Sequence, residues 1–366
     1  MKNLKLILLI FCSLFVYSCN TQTSNPVSPD ASDAWRVSPP EVQNVSSTQL
    51  NSLSVEIEKG TYGEIKSLLI ARNNYLIFEH YYRGDSREDL HLLYSVTKSF
   101  TSALVGIAIN EGKIAGLKKT LLSYFSEYTV RNNSLSKESI TLNEAITMSA
   151  GFQWNELSLP YSDITNDFQV FYRSKDKFQY ILDKPIEYAP GTKFVYNTAL
   201  TYLFSGIIKK QMHESAEQMA VEKIFNPLGI SKYTWETTAD SISNTGNGLS
   251  LRPIDMALFG QLYLDKGKWN NQQLIPQSWI QESTAKSISV NSYYDYGYFW
   301  WRFSNTNSVV SNLPVNDIYY AEGYSDQFIF VVPQYQMVIV ITADNREDYY
   351  PIGDMLKNYI FPAITN

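Results

Sequence analysis

The chain has 366 residues, a formal net charge of -6 and no cluster of lysine or arginine in its body, which argues against nucleic acid as a partner. It contains three histidines, His80, His91 and His213. Neither His80 nor His213 has acids nearby at metal-ligand spacing, so neither a metal site nor a cofactor is expected. Its two cysteines, Cys12 and Cys19, both fall in the first twenty residues.

In chain order, Lys2 and Lys5 precede an apolar run over 6–17. That run is too short to span a bilayer comfortably and has the layout of a secretory signal over 1–18. Val16-Tyr17-Ser18-Cys19 resembles a bacterial lipobox, which makes Cys19 the lipidated first residue of the mature chain. Cleavage there removes Cys12, leaving no disulfide within the mature chain and no thiol for catalysis. Residues 19–50 are dominated by Ser, Thr, Asn, Gln and Pro without an apolar period, and read as a lipidated N-terminus and flexible tether.

The folded part is expected over 51–364. Residues 67–72 and 75–82 are β-rich runs flanking Asn73-Asn74, a hairpin. Ser95 to Asn110 reads as a helix whose middle is small and apolar, as for a helix buried inside a fold. Short helices follow at 121–128 and 141–148, the second opened by Thr141 with Glu144 three residues on, a capping box. Residues 151–168 are irregular and carry Trp154. Helices are expected at 200–210, 215–224 and 253–264, with Pro253 in the first turn of the last. The period then changes: 326–332 and 336–343 form an antiparallel hairpin, and 352–361 a terminal helix. The economical fold is α+β: an antiparallel sheet built from both chain ends and flanked by helices. Its α/β part covers about 51–115 and 205–364, with a mainly helical insertion at about 116–204.

Ser95-Val96-Thr97-Lys98 carries the chemistry. A serine and a lysine three apart on one helical turn share a face. A lysine held in a dry cleft can lose its proton and activate the serine as a nucleophile. His91 is near in sequence, but no G-x-S-x-G elbow presents the serine, and His91 reads as a surface or supporting residue. Tyr196 is the partner hydroxyl that can relay a proton between serine, lysine and leaving group.

These segments resemble the serine β-lactamase and penicillin-binding-protein superfamily, in its class C-like branch, which also holds esterases, D-amino-acid peptidases and nylon-oligomer hydrolases. Tyr94-Ser95-Val96-Thr97-Lys98-Ser99 is similar to the nucleophile motif, and LNEAITMSAG at 142–151 to a second family segment. Pro190-Gly191-Thr192-Lys193-Phe194-Val195-Tyr196-Asn197-Thr198 is similar to the tyrosine motif. Asn226-Pro227-Leu228-Gly229 and the helix start at Arg252-Pro253 also fit, so the likeness runs over about 60–362. The resemblance implies a β-lactamase/transpeptidase-like fold. It makes Ser95 the acylated nucleophile, Lys98 its proton acceptor, and Tyr196 the acid and base for leaving group and water. The backbone N–H groups of Ser95 and Tyr324 would form the oxyanion hole.

Two positions depart from the pattern. The K-T-G or H-T-G motif of β-lactam-recognising relatives falls on Ala321-Glu322-Gly323, which removes a cation and adds an acid. Thr198 stands where many relatives have asparagine. Trp154, Thr198, Glu322 and Gly323 are the expected substrate-binding positions, with Trp300 and Trp301 fitting a cleft wall or plain packing. The reading is a lipid-anchored serine hydrolase of the bacterial cell envelope, on the periplasmic or outer-membrane face, acting on an ester or amide, including a peptide. The alternatives are a non-catalytic binding or sensor protein on the same fold, and a β-lactamase or D,D-peptidase.

Overall fold

Apolar runs from the two ends of the chain meet in one twisted sheet in the computed structural model, which describes residues 35–307, 309, 317–346 and 350–365. In chain order its strands are β1 (Arg36–Val37), β2 (Ile65–Arg72), β3 (Tyr75–Tyr81), β4 (Ile288–Ser289), β5 (Tyr294–Tyr296), β6 (Trp301–Phe303), β7 (Tyr319–Gly323), β8 (Gln327–Val332) and β9 (Met337–Ala343). They lie side by side in the order β1-β3-β2-β9-β8-β7-β6-β5-β4. Every pairing is antiparallel except that of β1 with β3. Asn73 and Asn74, at φ 51° and 65°, turn β2 into β3, the left-handed pair that a two-residue hairpin needs.

The central strands are apolar along their whole length because both faces of the sheet are covered. Leu69, Ala71, Ile329, Val331, Val338 and Val340 point into the larger core. Their alternating neighbours Leu68, Ile70, Phe328, Phe330, Ile339 and Ile341 point into a second core on the opposite face, as a period of two requires. The helices α1 (Ser47–Glu58) and the terminal Ile352–Met355 segment cover that second face. On the first lie α2 (Thr97–Asn110), α3 (Ala199–Met212) and α4 (Pro253–Leu264). Gly260 lets α4 press onto the sheet, since a Cβ there would sit 2.6 Å from Val338.

Three sequence expectations are corrected. The tether does not extend to residue 50: β1 pairs with Tyr75 and Leu76, Trp35 is buried in the larger core, and Ser46 caps α1 through Gln49 N–H. Single buried residues such as Trp35 and Val45 anchor this stretch without leaving an apolar period. Residues 1–34, with the signal and Cys19, lie outside the described residues. The region 116–204 is less helical than expected. It holds short helices at Leu135–Ser139, Leu142–Ile146, Asp167–Arg173 and Lys177–Asp183, joined by irregular chain. The expected helix at 121–128 is a single 3-10 turn, Leu121–Tyr124. A small sheet of His91–Leu92, Leu249–Leu251 and Tyr233–Trp235, which the sequence did not suggest, holds the chain just ahead of Ser95.

Candidate active site

Ser95 sits in a 3-10 turn, Tyr94–Val96, that runs straight into α2. The positive end of the helix dipole and its first amides therefore surround the hydroxyl. Tyr94 is held at φ 47°, a left-handed conformation that costs a bulky residue about 1–2 kcal/mol. Such strain persists only where packing enforces it. The Tyr94 ring meets Tyr324 edge-on at 5.4 Å, and Leu93 is fully buried beneath it.

Lys98, one turn on, is almost completely buried. Its Nζ donates to Ser95 Oγ at 2.8 Å and to the Gly246 carbonyl at 2.9 Å. Burial lowers the ammonium pKa to about 7, against a smaller opposing pull from the Glu156 charge. No ion pair to Lys98 is formed among the described residues. The carbonyl of Gly246 reaches this depth because residue 246 has no side chain; a Cβ would lie 2.6 Å from Thr198 and 2.7 Å from Thr201.

Tyr196 precedes α3 and is also buried. Its ring centroid is 5.0 Å from Lys98 Nζ, and its hydroxyl lies near enough to Ser95 to feel it electrostatically. Burial pushes the phenol well above its ordinary pKa, helped by Tyr296, Tyr161 and Glu156, with Ser95 acting in the opposite sense. Serine, lysine and tyrosine are thus brought into one cluster from two helix starts. At neutral pH the amine is the group able to accept a proton, and the phenol the group able to give one.

Sequence reasoning missed Glu156, which organises this cluster from the irregular segment after Trp154. Its carboxylate accepts from Trp154 Nε1 at 2.9 Å, Tyr161 Oη at 3.0 Å, Thr198 N at 2.8 Å and Thr198 Oγ1 at 2.6 Å. Four bonds repay burial of the charge. They also account for two expected ligand residues. Trp154 is buried against Phe171 with its indole N–H committed to Glu156, and Thr198 is buried with its hydroxyl committed likewise. Both support the site from behind. A lone acid in an aperiodic loop gives no spacing signal that could have found it.

The other expected positions lie on or beside β7. A Cβ on Gly323 would sit 2.2 Å from the Leu93 carbonyl, so only glycine lets this strand approach the turn that carries Ser95. Glu322 is half-buried, and burial with the neighbouring Asp326 charge raises its pKa to about 7. The Tyr324 ring packs edge-on against Tyr94 and, at 5.3 Å, against Tyr161. Trp301 stacks on Tyr196 at 6.0 Å, whereas Trp300 is sealed in the core against Tyr263. His91 pairs with Asp85 at 3.1 Å. A separate hollow of about 670 Å³ is lined by Gly106, Asn110, Glu144 and Trp279. It lies at the far end of α2, about 20 Å of helix from Ser95, and none of the catalytic cluster lines it. Among the described residues no group of three or more His, Cys, Asp or Glu side chains is placed to hold a metal ion.

A serine hydroxyl bonded to a buried lysine one turn away, faced by a tyrosine and backed by a glycine-bearing strand, defines a serine hydrolase of the β-lactamase/transpeptidase fold. The Beta-lactamase family model matches residues 67–352, and the chain belongs to that family. It is 23% identical over 304 residues to the 6-aminohexanoate-dimer hydrolase of Paenarthrobacter ureafaciens, covering 75% of this chain and 71% of that protein. Among solved structures it superposes on EstCE1, a hydrolase with promiscuous acyltransferase activity. There the TM-score is 0.70 at 14% identity, covering 86% of this chain and 98% of that one. A penicillin-binding protein homolog from Caulobacter crescentus gives a TM-score of 0.67 at 13% identity, covering 87% and 98%.

Proposed function

We propose that the protein cleaves a carboxylic ester or amide through an acyl-enzyme on Ser95. Neutral Lys98 takes the Ser95 proton as Oγ attacks the carbonyl carbon, and the carbonyl π electrons move to oxygen. The backbone N–H groups of Ser95 and Tyr324 receive that oxyanion. Tyr196 gives its proton to the leaving oxygen or nitrogen as the bond to carbon breaks, and regains one from Lys98. Water then attacks the acyl-enzyme along the same relay in reverse, and Ser95 leaves protonated. Because burial keeps Tyr196 neutral, the tyrosine serves as a proton shuttle and Lys98 as the base.

The observation that carries this reading is the 2.8 Å contact between Ser95 Oγ and a buried lysine whose pKa falls to about 7. An ammonium has no reason to be desolvated there unless its neutral form is used. A 6-aminohexanoate-dimer hydrolase and EstCE1, a hydrolase with promiscuous acyltransferase activity, are among the similar proteins, which supports hydrolysis by way of acyl transfer. We further propose that the molecule is anchored to the bacterial cell envelope through lipid on Cys19, with its cleft open to small substrates. No helix among the described residues is long and apolar enough to cross a membrane, so attachment of this kind would rest on the N-terminus.

The test is a fluorophosphonate probe followed by intact-mass measurement, with Ser95→Ala as control. A single adduct on the native protein and none on the variant is the expected result. A folded native protein that stays unmodified refutes the acyl-enzyme and favours a binding protein on this fold.

A further inference from the structure

Besides Ser95, the Gly246 carbonyl is the one acceptor that Lys98 Nζ meets among the described residues. Gly246 lies in a turn outside the helices and strands, so no regular ladder aims its oxygen. The loop that carries it, 236–248, leaves the small sheet after Trp235 and returns to it at Leu249. Asn244, almost fully buried, organises this turn. Its Oδ1 accepts from Gly246 N at 3.2 Å and from Asn247 N at 3.1 Å, as asparagine side chains do in turns. Its Nδ2 donates to Glu236 Oε2 at 2.6 Å. Its backbone N–H donates to the Glu236 carbonyl at 2.7 Å, and its own carbonyl accepts from Trp235 Nε1 at 2.8 Å.

Peptide planarity turns these bonds into an aiming device. In a trans peptide the C=O and N–H of one unit point in opposite directions. The unit joining Gly246 to Asn247 is held at its N–H end by Asn244 Oδ1, so its C=O end points away from Asn244 and onto Lys98. The preceding unit is held in the same way, its N–H by Asn244 Oδ1 and its C=O by Thr101 Oγ1 of α2 at 2.9 Å. One side-chain oxygen thus sets two successive peptide planes against the helix that carries Lys98. A neutral amine has two N–H groups and one lone pair. With one N–H taken by Gly246, rotation about Cε–Nζ is restricted and the lone pair stays on Ser95 Oγ.

We propose that Asn244 is a positioning residue for the Lys98 base, acting through the Gly246 carbonyl to orient the amine for proton transfer from Ser95. The inference deepens the acyl-enzyme reading and rests on it for the use of Lys98 as base. The same carbonyl stabilises the ammonium form, so loosening it lowers the Lys98 pKa as well as spoiling its aim. The titratable groups that act on Lys98 are Tyr196 and Glu156. Neither is bonded to Asn244, whose one acidic partner is Glu236.

The test compares the native protein with Asn244→Ala and Asn244→Ser; serine keeps a shorter oxygen able to form a similar turn. Two readouts are taken on each. One is kcat and KM for p-nitrophenyl acetate across pH. The other is the pH titration of the Lys98 Cε resonance in protein isotope-labelled at lysine Cε, assigned by its loss in Lys98→Ala. Asn244→Ala is expected to lower kcat about tenfold or more, the scale of a small misplacement of a reacting group, with KM little changed. Its rising limb and its Lys98 titration should both move toward acid by about half a pH unit or more. Asn244→Ser should recover part of both changes, and carries the same test if the alanine variant does not fold. A merely structural role would lower activity without moving the titration of Lys98. An unmoved titration in a folded variant, or a native kcat, therefore overturns the inference and leaves the hydrolase reading intact. A shifted titration in a protein that hydrolyses no ester supports the positioning of Lys98 and counts against the hydrolase reading.

Discussion

Replacing Glu156 by glutamine removes one charge from the catalytic cluster while sparing its contacts. In one amide orientation the new carbonyl keeps the bonds from Trp154 Nε1 and Thr198 N. The NH2 group then donates to the Tyr161 and Thr198 hydroxyls, which reverse to accept. Exchange of charge-assisted for neutral hydrogen bonds should cost about 1–3 kcal/mol of stability. The catalytic effect has a definite sign. Lys98 works as a base only when neutral, so kcat/KM should rise as pH climbs through its pKa of about 7 and then level off. Tyr196, held well above its ordinary value, should add no falling limb in the neutral range. Glu156 raises the Lys98 pKa, so its removal should move the rising limb toward acid by about one pH unit, the usual scale for a nearby opposite charge. On the rising part of the profile that is about tenfold more neutral amine, whatever happens to the plateau. The assay is kcat/KM for a neutral p-nitrophenyl ester across the acid-to-alkaline range, with a thermal melt of each protein. A limb that stays in place, or moves toward alkali, refutes the assignment of that limb to Lys98.

Lys98→Ala should lower kcat/KM by about 100-fold or more, the scale of a lost acid–base group, while circular dichroism stays native. Tyr196→Phe should do comparable damage with little change in packing; near-native rates in either variant would remove that residue from the mechanism. Nitrocefin should be a far poorer substrate than an uncharged short-chain ester on the same preparation, because Ala321 stands where β-lactam-recognising relatives hold the cation that receives its carboxylate. Equal kcat/KM for the two would contradict that reading of the cleft.

The parts of this molecule that can be read from its sequence are those where local chemistry and tertiary packing agree. The Asn73-Asn74 hairpin, the Thr141–Glu144 capping box and the buried α2 all carry their own signals. Ser95, Lys98 and Tyr196, which the structure gathers into one cluster, could be singled out because each lies in a motif with fixed neighbours. What escaped is stabilised from outside. β1, β4, β5 and β6 are two or three residues long, too short for periodicity, and exist because a longer strand lies beside them. Glu156 and Gly246 are silent in sequence for a related reason. Their roles depend on which side chains the fold brings to them: Thr198 and Tyr161 in one case, Lys98 in the other. Trp154 and Thr198 show the converse. Their positions were legible, but the direction in which their polar atoms point was not.

The way the chain enters the fold has a mechanical consequence. The first described strand, β1, is fastened by a two-residue parallel pairing at one edge of the sheet, and β7, the strand that approaches the turn bearing Ser95, is five strands away, about 24 Å at the usual strand spacing. A pull on the N-terminus loads β1 and then the junction at Val45 and Ile364, peeling their few hydrogen bonds one after another. The long β2–β9 and β9–β8 ladders lie between that edge and the cleft, and a load along them would have to shear many bonds together. A load applied at the N-terminus is therefore expected to open this edge before it strains the geometry around Ser95.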